Sequence, residues 1–128
     1  MTHSKADELL ALMVERAEEV NRDPQFIYRV SRLTVFGSYL TDKEKLGDLD
    51  VAVELLPKHN AEKHSKLIKQ QSINEATGDW WEQSVWSRRK VHRALKRQNH
   101  AFSLHDYANF VLMVEQGGAV GREFYRSK

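Results

Sequence analysis

The sequence predicts an α+β (mixed α/β) layer fold, and three observations carry that expectation. Leu9, Leu10, Met13, Ala17 and Val20 recur at three- and four-residue spacing near the N-terminus. Two runs rich in β-branched and aromatic residues follow, Tyr28 to Phe36 and Asp48 to Leu55, one punctuated by Gly37 and the other by Pro57. Helical periodicity then returns and brackets one further strand-like run. A length of 128 residues suits a single domain over 1–128.

Taken in order, residues 4 to 20 read as a helix with acids on its outer face, ended by Asn21-Arg22-Asp23-Pro24. Tyr28 to Phe36 is the first strand. Ser38 to Leu46 is a polar connection with room for a helical turn, and Asp48 to Leu55 is the second strand. Residues 60 to 75 suit a polar helix that Gly78 interrupts. Asp79 is placed to cap a long helix reaching Arg97. His100 to Leu104 reads as a short third strand. Residues 106 to 116 read as a helix ended by Gly117-Gly118. The closing GREFYRSK reads as a tail or terminal turn. There is no internal repeat and no low-complexity segment.

Composition narrows the function classes. The hydrophobic fraction of 41% and charged fraction of 30% are those of a globular protein. There is no cysteine, so disulfides and thiolate metal sites are excluded, which fits a cytoplasmic location. No apolar run approaches the roughly 18 residues of a membrane span, so no membrane role is expected. The N-terminal stretch is acidic and periodic, unlike a signal peptide. A net charge of +2 is too small to imply nucleic acid by itself.

The stretch VFGSYLTDKEKLGDLDV, residues 35–51, concentrates the chemistry. Side chains alternate along a strand, so Asp48 and Asp50 share one face while Leu49 and Val51 point into a core. Two carboxylates about 7 Å apart along such a strand can converge on one divalent cation or a metal pair. Without a cation they would repel and resist ionisation. Magnesium takes a few carboxylates together with phosphate oxygens and water. Gly37 at the strand end permits close approach of a ligand to the backbone, and exposed amides at such a turn suit phosphate. The Ser38 hydroxyl adds a further hydrogen bond. One end of the stretch is thus suited to phosphates and the other to their metal.

Phe36-Gly37-Ser38, then nine residues (39–47), then Asp48-Leu49-Asp50-Val51 resembles the signature of the nucleotidyltransferase-fold superfamily, which includes DNA polymerase β and the minimal nucleotidyltransferases. The resemblance covers residues 33 to 55 and is supported by the preceding helix. It implies a small mixed sheet flanked by helices. It also implies Gly37 and Ser38 at the triphosphate of a nucleotide such as ATP, and Asp48 and Asp50 as ligands of Mg2+ or Mn2+. The implied reaction transfers a nucleoside monophosphate to a hydroxyl and releases pyrophosphate. Some minimal nucleotidyltransferases act as antitoxins to small helical HEPN-type toxins, so the resemblance implies a nucleoside triphosphate, and an RNA or tRNA end or such a toxin, as partners.

Active members of the superfamily carry a third carboxylate on a later strand, toward the second metal and the attacking hydroxyl. The corresponding stretch here, His100 to His105, contains no acid. Asp106 takes that catalytic place if the strand runs further; otherwise it caps the following helix. Glu54 shares the face of Asp48 and Asp50 but suits the rim, and His105 is either a base or plain structure. The third-acid question opens an alternative: a catalytically degenerate relative acting as a protein- or RNA-binding module. The basic helix bears on this too. Arg88, Arg89, Lys90, Arg93, Lys96 and Arg97 meet no acid between Glu82 and Asp106. Arg89, Arg93 and Lys96 or Arg97 form a stripe suited to a phosphate backbone or a partner, and Trp80, Trp81 and Trp86 are available to stack on bases. Alternatively the helix is simply amphipathic, with Trp81, Val85 and Leu95 inward and the charges solvated. His3, His59 and His64 show no ligand spacing.

Overall fold

The first helix begins where the Thr2 hydroxyl accepts the Lys5 N–H at 3.1 Å. In the computed structural model, which describes residues 1–128, α1 runs His3–Arg22 and buries Ala6, Leu9, Leu10, Met13, Ala17 and Val20 along one stripe. Strand β1 (Tyr28–Phe36) ends in a 3-10 turn, Gly37–Leu40, and β2 (Leu49–Pro57) follows. Helices α2 (Ala61–Glu75) and α3 (Trp80–Lys96) are capped by the Asn60 and Asp79 side chains. Strand β3 (Phe102–Asp106), helix α4 (Tyr107–Glu115) and strand β4 (Gly121–Arg126) complete the chain.

The four strands form one mixed sheet in the order β3-β2-β1-β4. Strand β1 is antiparallel to both β2 and β4, and β3 is parallel to β2. One face carries Leu33, Val35, Leu49, Val51, Val53 and Phe102, which form the main core with α1 and with Val91 and Leu95 of α3. The other face is thinly covered: Phe36, Ala52 and Phe110 of α4 form a small cluster, with Tyr107, Met113 and Ala119 packed against it. That covering is tight at Gly121, where a Cβ would fall 2.4 Å from Phe110 Cζ and 2.6 Å from Thr34 Cγ2.

A buried cation ties two helices together. Arg16 of α1 is 8% exposed and its Nη1 donates to the Leu95 and Lys96 carbonyls, at 2.9 and 3.3 Å, on the last turn of α3. The negative end of the helix dipole and two orphan carbonyls are answered by one guanidinium. Burial lowers the Arg16 pKa from its ordinary value, with Arg97 adding to the effect.

Several expectations need correcting. GREFYRSK is not a tail, since residues 121–126 pair with the outer edge of β1. The third strand starts at Phe102 and not His100. Asp48 precedes β2 instead of opening it. No helix is long and apolar enough to cross a membrane.

His92 on α3 supplies a pH test. Its Nε2 is buried without a hydrogen-bond partner, and burial pushes its pKa below the ordinary value, against Asp106 and with Arg88. The unfolded chain therefore takes up that proton first, and native stability falls as the pH drops below about 6.5. Urea midpoints measured between pH 7.5 and pH 5 should decline, and His92→Leu should flatten the slope.

Candidate functional site

Register brings the two ends of the motif together. Phe36, the last residue of β1, lies opposite Asp50 in the antiparallel pairing. The next residue, Gly37, has φ of +79°, and a Cβ there would stand 2.6 Å from Asp50 Oδ2. Glycine is required at this position twice over, by the left-handed backbone and by the carboxylate against its Cα. Ser38 follows in the 3-10 turn and is half-buried.

The turn is held from outside. The His3 Nε2 lies 3.1 and 3.0 Å from the Tyr39 and Thr41 carbonyls, which accept its N–H. The Tyr39 hydroxyl donates to Asp7 and receives Arg122 Nη2 at 3.0 Å. The bond to Asp7 raises the Tyr39 pKa and keeps the phenol neutral. His3, from α1, thus contributes by fixing this turn, a role that no ligand spacing in the sequence could signal.

Asp50 is half-buried and Asp48 is exposed, one residue ahead of β2. Beside Asp50 lies a cleft of about 550 Å3 between the Gly37 turn and the loop joining α4 to β4, lined by Phe36, Gly37, Leu40, Asp50, Met113 and Val120 among others. Its walls are largely apolar and its charged group is Asp50. The loop wall at residues 118–120 is a contribution that sequence reasoning missed, because nothing local marks a loop as facing a strand end.

Strand β3 decides what stands opposite the aspartates. Its parallel register sets Ser103 beside Asp50 and His105 beside Ala52, on the Asp50 face. His105 Nε2 lies 3.1 Å from Asp50 Oδ1 and 3.3 Å from Ser103 Oγ. Asp106 is the last residue of β3, but alternation turns it to the opposite face. There it lies 3.7 Å from Arg88 of α3. Asp106 is not brought beside Asp48 and Asp50, so the third-carboxylate expectation for it is corrected on geometric grounds. Glu54 lies on the Asp50 face, but Arg32 Nη2 holds it at 2.7 Å and Ser31 donates to it at 3.0 Å.

Nowhere do three His, Cys, Asp or Glu side chains converge as a ready cage. The carboxylates offered to a metal here are Asp50, which His105 Nε2 already contacts at 3.1 Å, and the exposed Asp48 just ahead of β2. They match the one or two protein carboxylates that magnesium uses when phosphates and water complete its shell.

The basic helix is largely neutralised from within the chain. Arg88 pairs with Asp106, Arg89 with Glu82, Lys90 with Glu75 at 2.9 Å, and Arg97 with Glu19. Arg93 packs over the Trp86 ring, 5.1 Å from its centroid. Arg93 and Lys96 line one open hollow with Arg97 at the end of α3, away from the cleft. Inward positions on α3 are Ser87, Val91 and Leu95, so Trp81 does not pack inward: Trp80 and Trp81 are 77% and 62% exposed.

No family model, curated protein or solved structure matches this chain.

The Gly37 contact is directly testable. Gly37→Ala places a methyl group in the left-handed region, at a cost of about 1–2 kcal/mol, and against Asp50 Oδ2. Denaturation should show at least that loss, and Asp50→Ala in the same chain should relieve the part due to the contact.

Proposed function

We propose that this protein is a nucleotidyltransferase-like enzyme of the nucleotidyltransferase fold, which moves a nucleoside monophosphate from a metal–nucleoside triphosphate to a hydroxyl acceptor. One observation carries the proposal: a carboxylate at one strand end rests against the Cα of a glycine turn at the other, on the rim of an open cleft. A phosphate group at the turn and a cation at the carboxylates would then be neighbours. The mixed sheet with helices on both faces is compatible with that fold.

In this reading Asp48 and Asp50 hold the ion and Gly37 and Ser38 take the phosphates. When bound, the divalent ion withdraws charge from the phosphate oxygens. The acceptor hydroxyl would give up its proton to water as its oxygen bonds the α-phosphorus, the bond from that phosphorus to the bridging oxygen would break, and pyrophosphate would leave. The acceptor is an RNA end, a protein hydroxyl or a small molecule, and a HEPN-type toxin is one protein acceptor that the sequence resemblance brings in.

A second reading, a non-catalytic binding module on the same fold, is favoured by Ser103 and His105 standing where a third acid is expected. Its RNA-binding form is weakened by the ion pairs that occupy Arg88, Arg89, Lys90 and Arg97.

Calorimetry with each of the four nucleoside triphosphates, with Mg2+ or with chelator, separates the two. Magnesium-dependent binding that falls tenfold or more, about 1.4 kcal/mol, in Asp48→Asn/Asp50→Asn is expected. If the folded native chain binds none of them, the binding-module reading takes the lead.

A further inference from the structure

We propose that a hollow at the far end of the sheet from the cleft is an anion site, built to take a ligand that carries several phosphate groups. The proposal stands independently of the nucleotidyltransferase reading.

The hollow measures about 760 Å3 and lies where the end of α1, the start of β1 and the ends of β2 and β4 meet. Arg22 closes α1, Arg29 is the second residue of β1, Lys58 directly follows β2 and Arg126 ends β4. With Lys128 they set five cations around the hollow, against the single acid Glu18. Gly37 lies beyond the other end of β1, about 26 Å from Arg29 at a rise of roughly 3.3 Å per residue. A phosphate held at the glycine turn is therefore no neighbour of these cations.

These charges differ from those of α3, where Arg88, Arg89, Lys90 and Arg97 each have a carboxylate partner. Arg22, Arg29 and Lys58 take part in no ion pair. Arg29 Nη1 donates to Ser127 Oγ at 2.6 Å, and Lys58 Nζ donates to the Val20 and Asp23 carbonyls at 2.7 and 2.8 Å. Neutral acceptors thus fix both side chains without cancelling their charge, and donors remain on each. Asp23, the acid whose charge Lys58 feels, engages the Gln25 N–H through Oδ1 at 2.9 Å. Of the five cations, Arg126 alone closes its fork on a carboxylate, that of Glu123.

Burial lowers the Lys58 pKa from its ordinary value, and cations gathered without acids repel one another. A bound anion relieves both. Phosphate suits the donors: a guanidinium fork matches its oxygens in pairs, and the lysine adds a point charge. The cations come from separate stretches of the chain, so a row of phosphates meets them better than one. Only Val14 and Tyr125 in the lining are apolar, which leaves little for the side chains of an acidic peptide.

NMR of the full chain, titrated with inorganic tripolyphosphate in the presence of chelator, tests this while any metal-dependent binding at the cleft is silent. Amide shifts should concentrate at residues 18–22, 29, 58 and 125–128. Affinity should fall about tenfold in Arg22→Gln, the worth of one charge-assisted hydrogen bond, and further in Arg22→Gln/Arg29→Gln. Arg22 is exposed, so its replacement spares the fold, and Arg89→Gln on α3 should change little. A single-stranded RNA octamer, titrated in parallel, distinguishes the sources of phosphate. Binding at least as tight as that of tripolyphosphate, weakening with salt by a log–log slope of about 0.7 per phosphate contact, identifies a polynucleotide backbone. Weaker binding identifies a small oligophosphate. No shifts at these residues with either probe, or equal shifts with a polyglutamate peptide, would overturn the proposal and leave the magnesium-dependent binding expected at the cleft untouched.

Discussion

The antiparallel pairing of β1 with β2 sets Phe36 opposite Asp50, and the geometry of the cleft depends on that register. Side chains alternate with a period of two, so a slip by one residue would send Asp50 into the core and Val51 to the cleft. The slip is prevented by the apolar set on the other face: Leu33, Val35, Leu49, Val51 and Val53 are all essentially fully buried. Hydrophobic burial, about 25 cal/mol per Å2, thus fixes the position of a carboxylate that contributes nothing to that burial. The same register, carried across to β3, chooses Ser103 and His105 as the neighbours of Asp50.

The thin face of the sheet handles its other charges by pairing them. Arg32 and Glu54 lie directly opposite in the β1–β2 register, and Tyr107 receives the Arg32 guanidinium over its ring, 4.1 Å from the centroid. Burial pushes the Glu54 pKa up, but Arg32 and Ser31 outweigh it and the net direction is down. Glu54 therefore stays ionised and engaged, and the less committed carboxylates on this side stand at the glycine-turn end. The division follows from chain geometry, since Glu54 sits four residues further along the strand than Asp50.

Much of this was legible in the sequence. The bounds of β1, the helix cap at Asp79 and the glycine at the strand end follow from local rules, because each is fixed by a neighbour within a few residues. The face of Asp106 was not, because its parity with Phe102 and Leu104 counts only once β3 is known to run on to residue 106. Strand β4 was not, because GREFYR carries a glycine and three charges, and only an open edge of β1 makes it a strand. Nor was the state of the basic helix. Its acidic partners Glu19, Glu75, Glu82 and Asp106 come from four different elements, and no window of sequence holds them together. The exposed Trp80 and Trp81 show the same limit, since aromatic residues at helical spacing look inward until the neighbouring helix is placed.

The strand order has a consequence for how the molecule assembles. The two central strands are sequence neighbours joined by one short connection, whereas both outer strands come from the last third of the chain. A chain emerging from the ribosome would therefore bring Gly37 and Asp50 together early, by local closure, while both edges of the β1–β2 hairpin still lacked partners. Until β3 and β4 arrive, those edges are templates for any extended segment nearby. The hairpin that carries the candidate chemistry is thus also the segment most exposed to mispairing during synthesis, and the late strands act as its guards as well as its frame.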